Sequence, residues 1–242
     1  AGFVLASRIG PDKYNKAAAS LEDMNAYFAN LIERRRANPG DQIIDGLINA
    51  HDGDELLSLP ELVASCVLLL FAGHETTAHF FSNGLRSLIL FPDEMEKLKQ
   101  NRDDAPFVTN ASDEMLRWDG PAISTVRVLT EDVSWPSPDG PVAMKKGNRV
   151  FAFNGAANHD AAVFAEPHVL DLTRENARRQ ISFGHGVHMC LGANLARLEG
   201  LVGFPKIVSR MQNISFADPA PEWIDTLLTR GVKHLHLKAD VT

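Results

Sequence analysis

The stretch from Ser58 to Pro92 constrains the fold of this chain more than any other. Ser58-Leu59-Pro60-Glu61 has the capping-box pattern, with Ser58 as N-cap and Glu61 three residues on. Pro92 halts whatever helix begins there. A single helix between them would run roughly 45 Å, long enough to cross a whole domain. Its first half is apolar nearly all round, so burial on every side is expected. Its middle carries His74-Glu75-Thr76-Thr77, and polar groups on a buried helix need a reason. The apolar run Leu62 to Gly73 is interrupted by Ser65 and is shorter than the roughly 18 residues that span a bilayer, so no membrane span is expected.

The elements around this helix are shorter. Leu21, Met24, Phe28, Leu31 and Ile32 recur at helical spacing, which predicts an amphipathic helix over Ala17 to Arg36. Ile43 to His51 reads as a second helix and Asp52-Gly53-Asp54 as a turn. Pro92 to Gln100 and Ser112 to Trp118 read as further helices. Thr125 to Trp135 and Val142 to Phe153 are rich in Val, Thr and Phe and read as strands, parted by Pro136, Pro138, Asp139 and Gly140. Lys145-Lys146-Gly147-Asn148 supplies another turn. A Gly-rich loop, Ser182 to Gly192, precedes a helix from about Leu191 toward Met211, and Val232 to Leu237 alternates like a strand. The fold class expected is mainly α with small β-sheets.

Composition excludes more than it names. The 242 residues carry a net charge of -7, which argues against nucleic acid as a partner. Arg34-Arg35-Arg36 is a basic run at a helix C-terminus, where the helix dipole favours cations. The two cysteines, Cys66 and Cys190, suggest no disulfide framework, so a reducing cytoplasm is expected. Ala1-Gly2-Phe3 lacks the basic start of a signal peptide.

Phe183-Gly184-His185-Gly186-Val187-His188-Met189-Cys190-Leu191-Gly192 is the segment richest in chemistry. A cysteine just before a helix start sits where the thiolate form is favoured. Glycines around it let the backbone pass close to a flat group and offer N–H donors to sulfur. The segment resembles the haem-ligand loop of the cytochrome P-450 family, F-x-x-G-x-(H or R)-x-C-x-G. Phe183, Gly186, His188, Cys190 and Gly192 fill every fixed position. The resemblance implies haem b as cofactor, Cys190 as the thiolate on its iron, Phe183 shielding the sulfur, and His188 at a propionate. Cys66, on the apolar half of the long helix, reads as an ordinary buried thiol.

Ala72-Gly73-His74-Glu75-Thr76-Thr77 is similar to the same family's oxygen-activation motif, A-G-x-(D or E)-T. Gly73 would leave room for dioxygen beside Ala72. Thr76 offers a hydroxyl that can bond back to a backbone carbonyl, and Glu75 a carboxylate to relay protons. A zinc hydrolase is the rival, since His74-Glu75 and His79 look superficially like H-E-x-x-H. The spacing rejects it: five residues apart, the two histidines lie roughly 140° apart around a helix.

Glu114-Met115-Leu116-Arg117 matches the family's E-x-x-R, which ties its helix to the segment before the cysteine loop. Arg127, in Ser124-Thr125-Val126-Arg127, matches a strand position that contacts a propionate. Ala157-Asn158-His159-Asp160, with His159 for a usual arginine, Asp171 to Asn176, and Thr229-Arg230-Gly231-Val232 extend the likeness. Pro205 departs from it and should kink the last long helix or end it early. His234 and His236 read as surface residues.

The resemblance covers nearly the whole chain in colinear order, is nearest the soluble bacterial branch, and implies a cytochrome P-450-like fold lacking its N-terminal portion. Residues 1–242 would then be the C-terminal haem-binding portion: a fragment, a half completed by a second chain, or a non-catalytic remnant. The activity implied is insertion of one oxygen atom from O2 into a small apolar substrate. Electrons would come from a ferredoxin or similar donor, because no flavin or nicotinamide fingerprint is present. The family's dioxygen site would lie between Cys190 on one side and Ala72 to Thr76 on the other.

Overall fold

A computed structural model describes residues 11–52, 55–218 and 221–241. The chain forms two compact units, one ending at Thr76 and the other beginning at Thr77.

The first unit contains α1 (Pro11–Ala37), α2 (Ile43–Ile48), a short antiparallel pair β1 (His51–Asp52) and β2 (Glu55–Leu56), and the first half of α3 (Leu59–Leu90). The 3.6-residue spacing of Phe28 and Ile32 puts both on one face of α1. There they meet Leu62, Val63 and Cys66 of α3 with Ile44 and Leu47 of α2. Arg35 reaches the buried Asp45 at 3.0 Å, which ties the end of α1 to α2. Two expectations shift. Helix α1 starts earlier than Ala17. Helix α2 stops at Ile48, because residues 51 and 52 pair as strand with 56 and 55. Of the turn placed at Asp52-Gly53-Asp54, Gly53 and Asp54 lie outside the described residues.

Helix α3 obeys its punctuation. Ser58 donates from its backbone N to Glu61 at 2.8 Å and from its hydroxyl at 2.6 Å, and the helix stops at Leu90, before Pro92. Burial on every side is not observed. Leu62, Val63 and Cys66 form a covered stripe, while Leu68, Leu69 and Leu70 are 64%, 40% and 51% exposed. Successive residues turn by about 100° around a helix, so three in a row need cover on several sides, and α1 and α2 supply one. Among the described residues α3 alone has the length and apolar composition of a membrane span, despite the shortness of its uninterrupted apolar run. Its polar middle and the following Asn83, Arg86 and Ser87 would strand polar groups in lipid, and Asn83 and Ser87 are buried in protein.

The second unit holds the rest of α3, then α4 (Pro92–Gln100), α5 (Ala105–Asp119), four short strands, α6 (Asn154–Ala157), α7 (Ala193–Arg210) and a final strand pair. Helix α5 starts earlier than expected, capped by Asp104, whose carboxylate accepts from Phe107 N at 3.4 Å. Its core gathers Phe80 and Leu88 of α3, Leu98 of α4, Val108 and Met115 of α5, and Phe204 of α7. The strand-like runs fold as nested antiparallel pairs: β3 (Thr125–Val128) with β6 (Arg149–Ala152), and β4 (Val133–Trp135) with β5 (Val142–Met144).

Two further expectations are corrected here. Of the two effects expected of Pro205, an early end does not occur: helix α7 reaches Arg210, close to the Met211 expected, with Phe204 and Val208 on either side of the proline both buried. The last strand is β8 (Leu237–Val241), not Val232 to Leu237. It pairs with β7 (Met211–Phe216), which directly follows α7.

Candidate functional site

The cysteine loop is held at its entry by side chains that bond to backbone. Ser182 Oγ donates to Leu116 O at 2.7 Å and receives Asn158 Nδ2 at 2.8 Å. Asn158 Oδ1 accepts from Ile181 N at 2.8 Å, and Gln180 Oε1 from Ser182 N at 2.7 Å. The chain then turns through Gly184 and Gly186, whose φ angles of 73° and 76° lie in the left-handed region that favours glycine. A 3-10 turn, Gly186–His188, follows, and Cys190 N donates to Phe183 O at 2.9 Å to close the loop. Helix α7 begins at Ala193, two residues later than expected, with Ala193 N on Cys190 O at 3.3 Å. Cys190 is exposed at the head of this helix, and Gly192 is close enough that a Cβ there would sit 3.9 Å from its sulfur.

Ala72, Gly73, Glu75 and Thr76 lie on α3, in the first unit. The Thr76 hydroxyl donates to Ala72 O at 2.7 Å, the backward bond its position allows. A Cβ at Gly73 would meet nothing within 4 Å. Ala72 and Gly73 are exposed, Glu75 and Thr76 half-buried.

Glu114 and Arg117 of α5 do what the family resemblance implied. Arg117 Nε reaches Glu114 Oε2 at 2.7 Å, and the guanidinium also donates to Asn158 O, Pro167 O and Val169 O ahead of the cysteine loop. Sequence reasoning missed the third member. Arg174 Nε bonds Glu114 Oε1 at 3.0 Å, sixty positions away, where no local spacing announces it. It also missed Asp113 and Arg197, joined at 3.0 Å. Arg127 is exposed on β3 and donates to Val126 O at 2.8 Å. His188 is exposed in the loop.

Comparison with known proteins decides the family. The sequence model of the cytochrome P450 family matches residues 3–225. This chain belongs to that family. It is 37% identical over 193 residues to the biotin biosynthesis cytochrome P450 of Bacillus subtilis, a match covering 80% of this chain and 47% of that protein. It is 36% identical over 221 residues to the vitamin D(3) 25-hydroxylase of Pseudonocardia autotrophica, covering 90% and 53%. The solved structure of the bacillaene polyketide synthase cytochrome P450 PksS from Bacillus subtilis superposes with a TM-score of 0.87 at 32% identity, covering 98% of this chain and 60% of that one. The fold is therefore the cytochrome P450 fold in the part present, and the chain spans about half the length of the curated relatives it matches.

Haem is the cofactor of cytochrome P450 enzymes, and the residues of the loop fit it. Cys190 offers an accessible soft donor of the kind iron takes as thiolate. Beside it Val187 and Leu191 are 97% and 90% exposed, apolar surface suited to a flat macrocycle. Beyond its two chain neighbours no residue comes within 4 Å of where a Gly186 Cβ would be, so the loop leaves that side open. His188 and Arg127 are both exposed and carry N–H donors of the kind a carboxylate accepts.

Proposed function

We propose that residues 1–242 act as the C-terminal haem-binding portion of a haem-thiolate monooxygenase that inserts one oxygen atom from O2 into a small apolar substrate. The observation carrying this reading is the cysteine loop, with Cys190 exposed and its backbone fixed by Phe183. In this reading Cys190 holds the iron as thiolate. Phe183 limits water at the sulfur, and Gly186 and Gly192 let the backbone approach. His188 and Arg127 take the propionates. Haem, when bound, supplies the iron that activates dioxygen. Ala72 and Gly73 give dioxygen space, and Glu75 and Thr76 hold and pass the protons it needs. Electrons come from a ferredoxin or similar donor, and the setting is the cytoplasm. The exposed Leu68, Leu69 and Leu70 support further protein around that stretch of α3, from the same polypeptide or a second chain.

The test is the carbon-monoxide spectrum of the reduced, haem-loaded protein, with and without Cys190→Ala. The parent should give the thiolate-type band and the variant should not, with far-UV circular dichroism mostly preserved. An alanine variant that keeps the band removes Cys190 from the iron. A parent that takes up no haem in any assembly favours a non-catalytic remnant.

A further inference from the structure

The haem reading leaves Asp113 and Arg197 without a role, yet both ends of the cysteine loop converge on them. Asp113 lies on α5 beside Glu114 and is 2% exposed. Its Oδ1 accepts from Gln180 Nε2 at 3.0 Å, just before the loop. The same carboxylate accepts from Arg197 Nε at 3.0 and 3.3 Å, on the helix that follows the loop. Arg197 then lies over the ring of Phe183, its guanidinium carbon 4.8 Å from the centroid. Phe183 in turn accepts the Cys190 N–H at 2.9 Å. The contacts therefore run in series: Asp113 fixes Arg197, Arg197 covers Phe183, and Phe183 holds the Cys190 backbone.

The chemistry suits arginine and not lysine. A guanidinium can give one edge to a carboxylate while its flat face rests on an aromatic ring, and a compact ammonium cannot do both. Asp113, buried in the protein, would be costly to leave without its cation. Phe183 is half-buried and packs against the core, so its ring has one side left for Arg197 to cover.

We propose that Arg197, held by Asp113, is a positioning residue for Cys190: it locks the Phe183 ring and thereby sets how open the cysteine sulfur is to solvent. The proposal rests on Cys190 as the iron ligand for its significance, but its geometry is testable without haem.

The experiment uses the full chain and follows alkylation of Cys190 by iodoacetamide at one fixed pH, mapped to the Cys190 peptide by mass spectrometry. Arg197→Met should speed alkylation about fivefold, the population change expected on loss of one stacking contact. Arg197→Lys should give a smaller rise. In a Phe183→Leu background Arg197→Met should change the rate by less than about twofold, since effects relayed through one partner do not add. In haem-loaded protein Arg197→Met should lower the thiolate-type share of the carbon-monoxide complex, and Arg197→Lys should restore part of it. An alkylation rate equal to the parent's, or an increase of the same size in both backgrounds, overturns the proposal. Should Arg197→Met not fold by circular dichroism, Arg197→Lys decides: a faster rate supports the proposal and the parental rate overturns it. Failure of Cys190→Ala to change the spectrum would sink the ligand reading and leave the alkylation comparison standing on its own.

Discussion

Phe204 of α7 seats over Gly84 of α3, and Phe81 of α3 seats over Gly203 of α7. A Cβ on Gly84 would lie 2.6 Å from the Phe204 ring, and one on Gly203 would lie 2.4 Å from the Phe81 ring. Each helix thus gives up a side chain to receive the other's ring, and α7, which carries the cysteine loop at its head, is keyed to α3. Gly84→Ala should cost about 1–3 kcal/mol, because the displaced ring has no vacant volume to enter. Gly46, in α2, meets nothing within 4 Å, so Gly46→Ala should be neutral or slightly stabilising. Urea unfolding of the two variants beside the parent checks both signs. A Gly84→Ala variant as stable as the parent would show that the ring gives way freely.

Glu114 is the second point of strain-free but costly dependence. Its carboxylate is fully buried and accepts from Arg117, Arg174 and the Asp171 amide. Truncating it leaves two guanidinium groups, one fully buried, without their anion. Glu114→Ala should therefore destabilise by about 3–5 kcal/mol, and expression as aggregate is the expected extreme. Glu96→Ala, at the exposed end of a salt bridge to half-buried Lys99, should change stability by less than about 1 kcal/mol. Chemical denaturation of both, in one buffer, measures the contrast.

How much of this was legible beforehand depended on distance along the chain. Helix α3 was legible because Ser58, Glu61 and Pro92 mark its ends locally. The loop was legible because Phe183, Gly186, His188, Cys190 and Gly192 fall within ten consecutive positions. Arg174 on Glu114 and Arg197 on Asp113 were not, since each pair joins residues far apart in sequence, and a lone arginine on a helix or loop is usually solvated. The β7–β8 pair was hidden for a related reason. Met211 follows α7 with no breaker between them, and Pro205, a residue that can kink or end a helix, lies five residues before the true end. Burial of Phe204 and Val208 overrides that local signal. Leu68 to Leu70 are exposed: apolar composition says that cover is needed, not that this chain supplies it.

Thr76 carries a prediction about coupling. Its hydroxyl already has a backbone partner at Ala72 O, so Thr76→Ala removes a bond that helices do without, and α3 should keep its helicity. In the proposed reading the hydroxyl is also needed to pass protons. Thr76→Ala should then bind haem normally but consume electrons without matching product, while Thr76→Ser, which keeps the hydroxyl, should stay coupled. The measurement compares electrons consumed with product formed, using a competent redox partner and a turned-over substrate. An unchanged ratio in Thr76→Ala removes the residue from proton delivery.

The two cysteines should part company in their reactivity. Burial pushes the Cys66 thiol above its ordinary range, because the thiolate loses its hydration among Ile32, Leu62 and Val63. Only the thiolate attacks an alkylating reagent, so Cys66 should stay unmodified at neutral pH for as long as the first unit remains folded. Cys190 is exposed and should react in the chain without haem. Haem should then protect it if Cys190 is the ligand. The pH dependence has a definite sign. With its thiol pKa raised in the fold, Cys66 contributes stability that is fully present below the unfolded thiol's value of about 8.5 and is lost as pH rises toward the folded one. Cys66→Ala should cost stability at neutral pH through the cavity it leaves, yet lose less than the parent as pH climbs above about 9. Mapped alkylation with and without haem, and urea midpoints across that alkaline range, test the two halves separately. Rapid modification of Cys66 in the folded chain would mean that the α1–α3 packing opens far more readily than its buried core implies.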